Sequence, residues 1–98
     1  MGTKPRRRPK RLGEKLLQIR LAFALSQNEM IQRLNIGDLI TQNTLSSYEL
    51  GNREPSLLII LEYARVANVW ADVLIDDELD LPDKLPSRAK SAGVRRRL

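Results

Sequence analysis

Residues 25–56 read LSQNEMIQRLNIGDLITQNTLSSYELGNREPS, and the order of caps and apolar positions in this stretch decides the fold class. Ser26 stands three residues before Glu29, with Leu25 ahead of it and Met30 just after Glu29, the spacing of a capping box with a hydrophobic staple. A helix therefore starts at Gln27 and turns Met30, Ile31 and Leu34 inward. Asn35 and Gly37 end it, because both accept positive φ. Thr41 is the next cap. It opens a helix over residues 42–50 in which Leu45 and Tyr48 face inward while Gln42, Asn43, Thr44, Ser46 and Ser47 face out, and Gly51 stops it.

Upstream, Leu12, Leu16, Ile19 and Phe23 recur at four, three and four, one face of a helix from 12 to about 24. Downstream, Pro55-Ser56 introduces a helix over 57–67 with Leu57, Ile60, Leu61 and Ala64 as its buried stripe and Asn68 as its stop. A last short helix spans about 70–76. No strand alternation and no internal repeat occurs, so the class is all-α. The expected organisation is a disordered basic arm over 1–11, a helical domain over 12–76, and a tail over 77–98 that is acidic, then basic.

At 98 residues, 42% of them hydrophobic and 30% charged, the chain has material for one core. It contains neither cysteine nor histidine, which excludes disulfides, Cys/His zinc sites and nucleophiles paired with histidine. No metal, no cofactor and no enzymatic activity is expected. The longest apolar run, 57–61, is far below the about 20 residues that span a bilayer, and the basic start lacks a signal-peptide core. A cytoplasmic protein with no membrane partner is expected.

The net charge of +5 is segregated. Residues 1–11 hold six cations (Lys4, Arg6, Arg7, Arg8, Lys10, Arg11) and residues 88–98 hold five, with no acid in either segment, whereas 12–87 carries six cations against twelve acids. A polyanion would be held largely by the ends, with Arg6, Arg7 and Arg8 on phosphates. The plain alternative for such tails is solubility, or residues left by cloning.

The run LSQNEMIQRL, the polar-faced TQNTLSSYELG, then NREPS and LLIILEYARVANV resembles, in that order, the Xre-type, phage-repressor-like helix-turn-helix proteins. The resemblance covers about residues 12–76. It implies a five-helix, lambda-repressor-like bundle that binds double-stranded DNA, usually as a homodimer, with the second helix of the motif in the major groove. It also implies roles. Gln27 would touch a phosphate and brace the recognition helix. Gln42, with Thr41 before it and Asn43, Thr44, Ser46 and Ser47 beyond, would lie along the groove, where amides pair with adenine and Thr meets a thymine methyl. Asn52 and Arg53 would contact the backbone. Arg20 and Glu49 would form a structural ion pair. Each has a plainer reading, since a polar helix face is ordinarily a solvated one and Arg53 could be an ordinary surface cation.

Two departures from the family pattern stand out. The turn over 35–40 is about four residues longer than in relatives, and Ile31 replaces a preferred alanine. The two are expected to be coupled, with Ile31 filling the helix contact and Leu39 or Ile40 covering the turn. Asp38 places a negative charge nearby. Spare apolar residues also need covering: Leu17, Leu21 and Ala24 in the first helix, and the stripe Ile59, Tyr63, Val66 and Trp70. This stripe is a possible dimer or partner contact, with Trp70 as anchor, unless it packs within the chain against the last helix and Leu79, Leu81 and Leu85.

The leading reading is a sequence-selective DNA-binding transcriptional regulator. The alternative is an antitoxin-like or protein-interaction module that keeps the fold, holds a protein partner and reads DNA weakly. RNA binding ranks lower because the four aromatics provide no stacking platform.

Overall fold

The computed structural model describes residues 7–85. Five helices follow in order: α1 (Leu12–Ala22), α2 (Gln27–Leu34), α3 (Gln42–Leu50), α4 (Leu57–Ala67) and α5 (Ala71–Ile75). Among the described residues there is no strand. Helix starts follow the caps. The Ser26 hydroxyl accepts from the Glu29 N–H while the Glu29 carboxylate accepts from the Ser26 N–H, closing the capping box. Thr41 and Ser56 cap α3 and α4 in the same single-sided way. Asn35, Asn68 and Gly51 end α2, α4 and α3 in the left-handed region, at φ of 59°, 61° and 82°. Gly37 does not share this conformation, so Asn35 alone makes the stop.

α1 ends two residues earlier than its periodicity suggests. Ala24 takes φ of 57°, and Arg20 O accepts from Leu25 N–H, so the chain turns sharply into the α2 cap. Phe23 lies past the helix end and is half-buried, with the Arg33 guanidinium 5.8 Å from its ring centre.

The core gathers Leu12, Leu16 and Ile19 from α1, Met30, Ile31 and Leu34 from α2, and Leu45 and Tyr48 from α3. α4 supplies Ile59, Ile60, Tyr63, Ala64 and Ala67. This corrects the expected stripe: Leu57 is 79% exposed and Leu61 half-buried. The first turn of α4 is apolar all round, so periodicity there leaves the face open. Tyr63 and the small Ala64 and Ala67 settle it, because they let α4 close on α2 and α5. The stripe Ile59, Tyr63, Val66 and Trp70 is accordingly not a free surface. Ile59 and Tyr63 are core, Val66 packs against it, and Trp70 is half-buried at the start of α5.

The long turn is filled from within. Ile36 is buried, donating its N–H to Ile31 O and accepting at its carbonyl from Leu39 and Ile40. Ile40 packs on the core edge, while Leu39 is 59% exposed. The turn is thus an extra half-helical loop sealed by Ile36 against Ile31, and α2 still packs on α3.

The ends are tied rather than loose where the structure describes them. The Asp77 carboxylate accepts from the Lys10 N–H at 2.8 Å and the Arg11 N–H at 3.0 Å, capping α1 from the far end of the chain. The Arg11 guanidinium reaches Asp77 O and Asp80. Reciprocally, fully buried Lys15 donates to Val73 O and Asp76 O at the C-terminal end of α5. Leu81 and Leu85 then pack on the core near Leu21 and Ala22 of α1, so they cover part of its spare face, though Leu21 stays exposed. Arg6 and residues 88–98, with their tail cations, lie outside the described residues. No helix among the described residues is long and apolar enough to cross a membrane.

Candidate nucleic-acid interface

α3 is held to α1 by close backbone approach. A Cβ on Gly13 would sit 2.6 Å from Tyr48 O and 2.9 Å from Glu49 O, so only glycine lets α1 lie this near. With its inner face buried, α3 presents Gln42 and Asn43 fully outward, with Thr44, Ser46 and Ser47 half-exposed beside them. Thr41 is exposed and spends its hydroxyl on the Thr44 N–H.

A chain of polar contacts fixes the end of this face. Arg20 donates to Glu49 through Nε at 2.7 Å and through Nη2 at 3.0 Å, a two-point pair whose side chains are 15% and 5% exposed. The hydrogen bonds to Glu49 hold the Arg20 pKa above its ordinary value, against the opposing effect of burial. Glu49 Oε1 also accepts from Gln27 Nε2 at 3.1 Å. Gln27 Oε1 in turn accepts from Gln42 Nε2 at 3.1 Å, and Gln42 Oε1 accepts from Asn28 Nδ2 at 3.4 Å. The carboxylate can only accept, so it sets the direction of each amide along the chain. Sequence reasoning places Arg20, Glu49, Gln27 and Gln42 in this site. Asn28 it misses, and nothing in residue type or spacing distinguishes Asn28 from an ordinary first-turn residue.

Beneath the network, the Tyr63 hydroxyl is buried with no hydrogen-bond partner among the described residues. Burial, and then the nearby Glu49 charge, push its pKa far up, so the phenol stays neutral.

Past α3, Asn52 and Arg53 are exposed in the loop that leads to α4. Asn52 N–H and Arg53 N–H both donate to Ser47 O, which holds the loop against the last turn of α3. Arg7 and Arg8 come close to this loop from the other end of the chain: with Arg53 and Lys10 they line one cleft. The structure therefore brings most of the expected residues it describes into two groups, the α3 face with its Gln27 support and a cationic cleft at the C-terminal end of α3, with Asn52 exposed outside both.

Two helices joined through a turn, the second outward and polar, define a DNA-binding helix-turn-helix domain. A sequence profile of the helix-turn-helix family matches residues 16–72, more than half of the chain. The protein belongs to the Xre-type, lambda-repressor-like helix-turn-helix family, whose partner is DNA. No curated protein matches the chain.

Proposed function

We propose that this protein is a sequence-selective transcriptional regulator that lays α3 in the major groove of double-stranded DNA. The observation that carries this reading is the Gln42 amide, exposed at the start of α3 yet held in one orientation by Gln27, Asn28 and, through Gln27, Glu49. An amide so held is prepared for paired hydrogen bonds to adenine, with Asn43 beside it and Thr44 able to meet a thymine methyl. Gln27, Thr41, Ser46, Ser47, Asn52 and Arg53 surround that contact, and the arginines of the N-terminal arm add sequence-blind phosphate affinity.

The protein acts as a homodimer in this reading, so its operator is palindromic. The contact moves from the stripe expected on α4 to the start of that helix, where Leu57 and Leu58 are 79% and 69% exposed on consecutive positions. Leu57 borders a groove lined by Pro9, Pro55, Ile60 and Ile75 together with Arg7, Glu54 and Ser56, and Leu58 stands exposed beside it, an arrangement that suits an isologous pair of copies. The same leucines favour the second reading, an interaction module whose partner is another protein.

Selection from a randomised duplex library at about 150 mM salt, where nonspecific binding is weakened, tests the proposal. An enriched motif that is lost in Gln42→Ala/Asn43→Ala supports groove reading by α3. Recovery of no motif by the wild-type chain overturns it and turns attention to the protein partner.

A further inference from the structure

Residues 7–85 carry ten cations against twelve acids, so the described domain has no general attraction for a polyanion. Its cations are unevenly placed. Arg7, Arg8 and Lys10 from the segment ahead of α1, and Arg53 from the loop after α3, line one open cleft of about 480 Å³, with Tyr48 also in its wall. Among the described residues Glu54 is the one acid in that lining, with its carboxylate 3.9 Å from Arg8 Nε, so four cations stand against one acid. Burial raises the Tyr48 pKa, with Arg53 only partly offsetting it, so the phenol remains a neutral donor.

We infer that this cleft seats a single backbone phosphate of the bound DNA, gripped jointly by the arm and the loop after α3, and that Asp77 is the positioning residue that assembles it. The inference rests on the DNA-binding reading above. Its geometric basis is the latch at the root of the arm. Asp77 accepts from the Lys10 and Arg11 N–H groups, so the peptide that follows Arg7, Arg8 and Pro9 is fixed in space. Pro9 stiffens the same segment. That anchor is the backbone hold on the arm, and the Arg8–Glu54 contact at 3.9 Å is a side-chain hold beside it. An acid thus promotes an anion site, because it orders the cations without facing the cleft: Asp77 is not among its lining residues.

The test uses the full chain and a duplex, with affinity measured as a function of salt from about 50 to 200 mM. Counterion release counts phosphates, not arginines, so Arg53→Ala, Arg7→Ala/Arg8→Ala and the triple variant should each lose about the same part of the salt slope. The triple variant should lose about 0.9 in all, the value for one phosphate. Losses that add between the two sets, or a slope that does not change, overturn the shared seat.

Asp77→Ala should bind several-fold more weakly although the chain gains positive charge, while Asp83→Ala, an exposed acid remote from the latch, should bind as well as wild type or better. Thermal melts confirm that the variants are folded, and Asp77→Asn, which keeps an acceptor, covers the case in which alanine does not fold and should show a smaller loss. Asp77 variants that bind more tightly overturn its positioning role. Inorganic phosphate against chloride at matched ionic strength should not raise Tm; a phosphate-specific rise would reassign the cleft to a free phosphorylated ligand. If the wild-type chain binds no duplex, the DNA reading fails and takes this inference with it; if the wild type binds and the cleft variants match it, this inference alone fails.

Discussion

Gly13 and Ala24 occupy backbone positions that the sequence does not advertise, and each has a measurable consequence. At Gly13 the atoms that a Cβ would meet are backbone atoms of α3, which cannot rotate away. Gly13→Ala should therefore force α1 off α3 and cost about 1 to 3 kcal/mol, the usual range for overpacking, as read by denaturant unfolding. Ala24 is the opposite case. A left-handed alanine stores about 1 kcal/mol of strain, and glycine there relieves it while losing more freedom on folding. Ala24→Gly should leave stability unchanged or raise Tm slightly, whereas Ala24→Val should lower it, because a β-branched residue fits that region worst. The ion pair of Arg20 and Glu49 was legible in the sequence by resemblance. The brace from Gln27 to the recognition helix was likewise implied by resemblance, whereas the contact of Asn28 with Gln42 was not, because side chains 14 positions apart meet only once the helices are packed.

At the scale of elements, α1 and α5 cap each other. Lys15 stands three residues after Leu12, on the buried side of an otherwise apolar helix face, where its charge and not its position argues for the surface; burial lowers its pKa, and the carbonyls of Val73 and Asp76 at the end of α5 hold its ammonium. Lys15→Met keeps the volume but leaves those carbonyls to water or unpaired, an effect of about 1 to 3 kcal/mol where they stay buried. The expected result is faster amide hydrogen exchange confined to α5, with α2 and α3 unaffected.

The reverse cap depends on pH. Backbone N–H groups of Lys10 and Arg11 hold the Asp77 pKa below its ordinary value of 3.8. A depressed carboxyl favours the folded state above its unfolded pKa, and that contribution disappears as pH falls through the folded value. The Tm difference between wild type and Asp77→Asn should therefore be constant at neutral pH and shrink as pH drops below about 4. Parallel curves down to acid would show that Asp77 does not hold the arm.

Across the whole molecule, the acidic domain and the basic ends divide the work. The domain contributes shape and the exposed polar face of α3, while the chain's cations are concentrated in its two ends, of which Arg7, Arg8 and Lys10 line one cleft with Arg53. The proposed association of two copies belongs to this scale as well. Leu57→Lys/Leu58→Lys should shift sedimentation equilibrium toward the monomer while leaving the chain folded, since neither side chain is in the core. In a dimeric binder it should also weaken operator binding more than half-site binding. An unchanged mass distribution would remove the start of α4 as the contact.

By itself the sequence determined the element order, the capped helix starts and the helix-turn-helix family, because caps and short-range periodicity act within a few residues of the chain. It also determined which residues make up the outer face of α3. The tertiary structure decided which side of α4 is buried, since LLII offers apolar groups in every direction and only the partners α2 and α5 choose among them. It likewise decided that Ile36 seals the long turn, that Lys15 is interior, and that Lys10 and Arg11 are anchored by Asp77 and Asp80. Those outcomes depend on contacts between residues up to 69 positions apart, where local preference carries no information and packing and charge alone set the result.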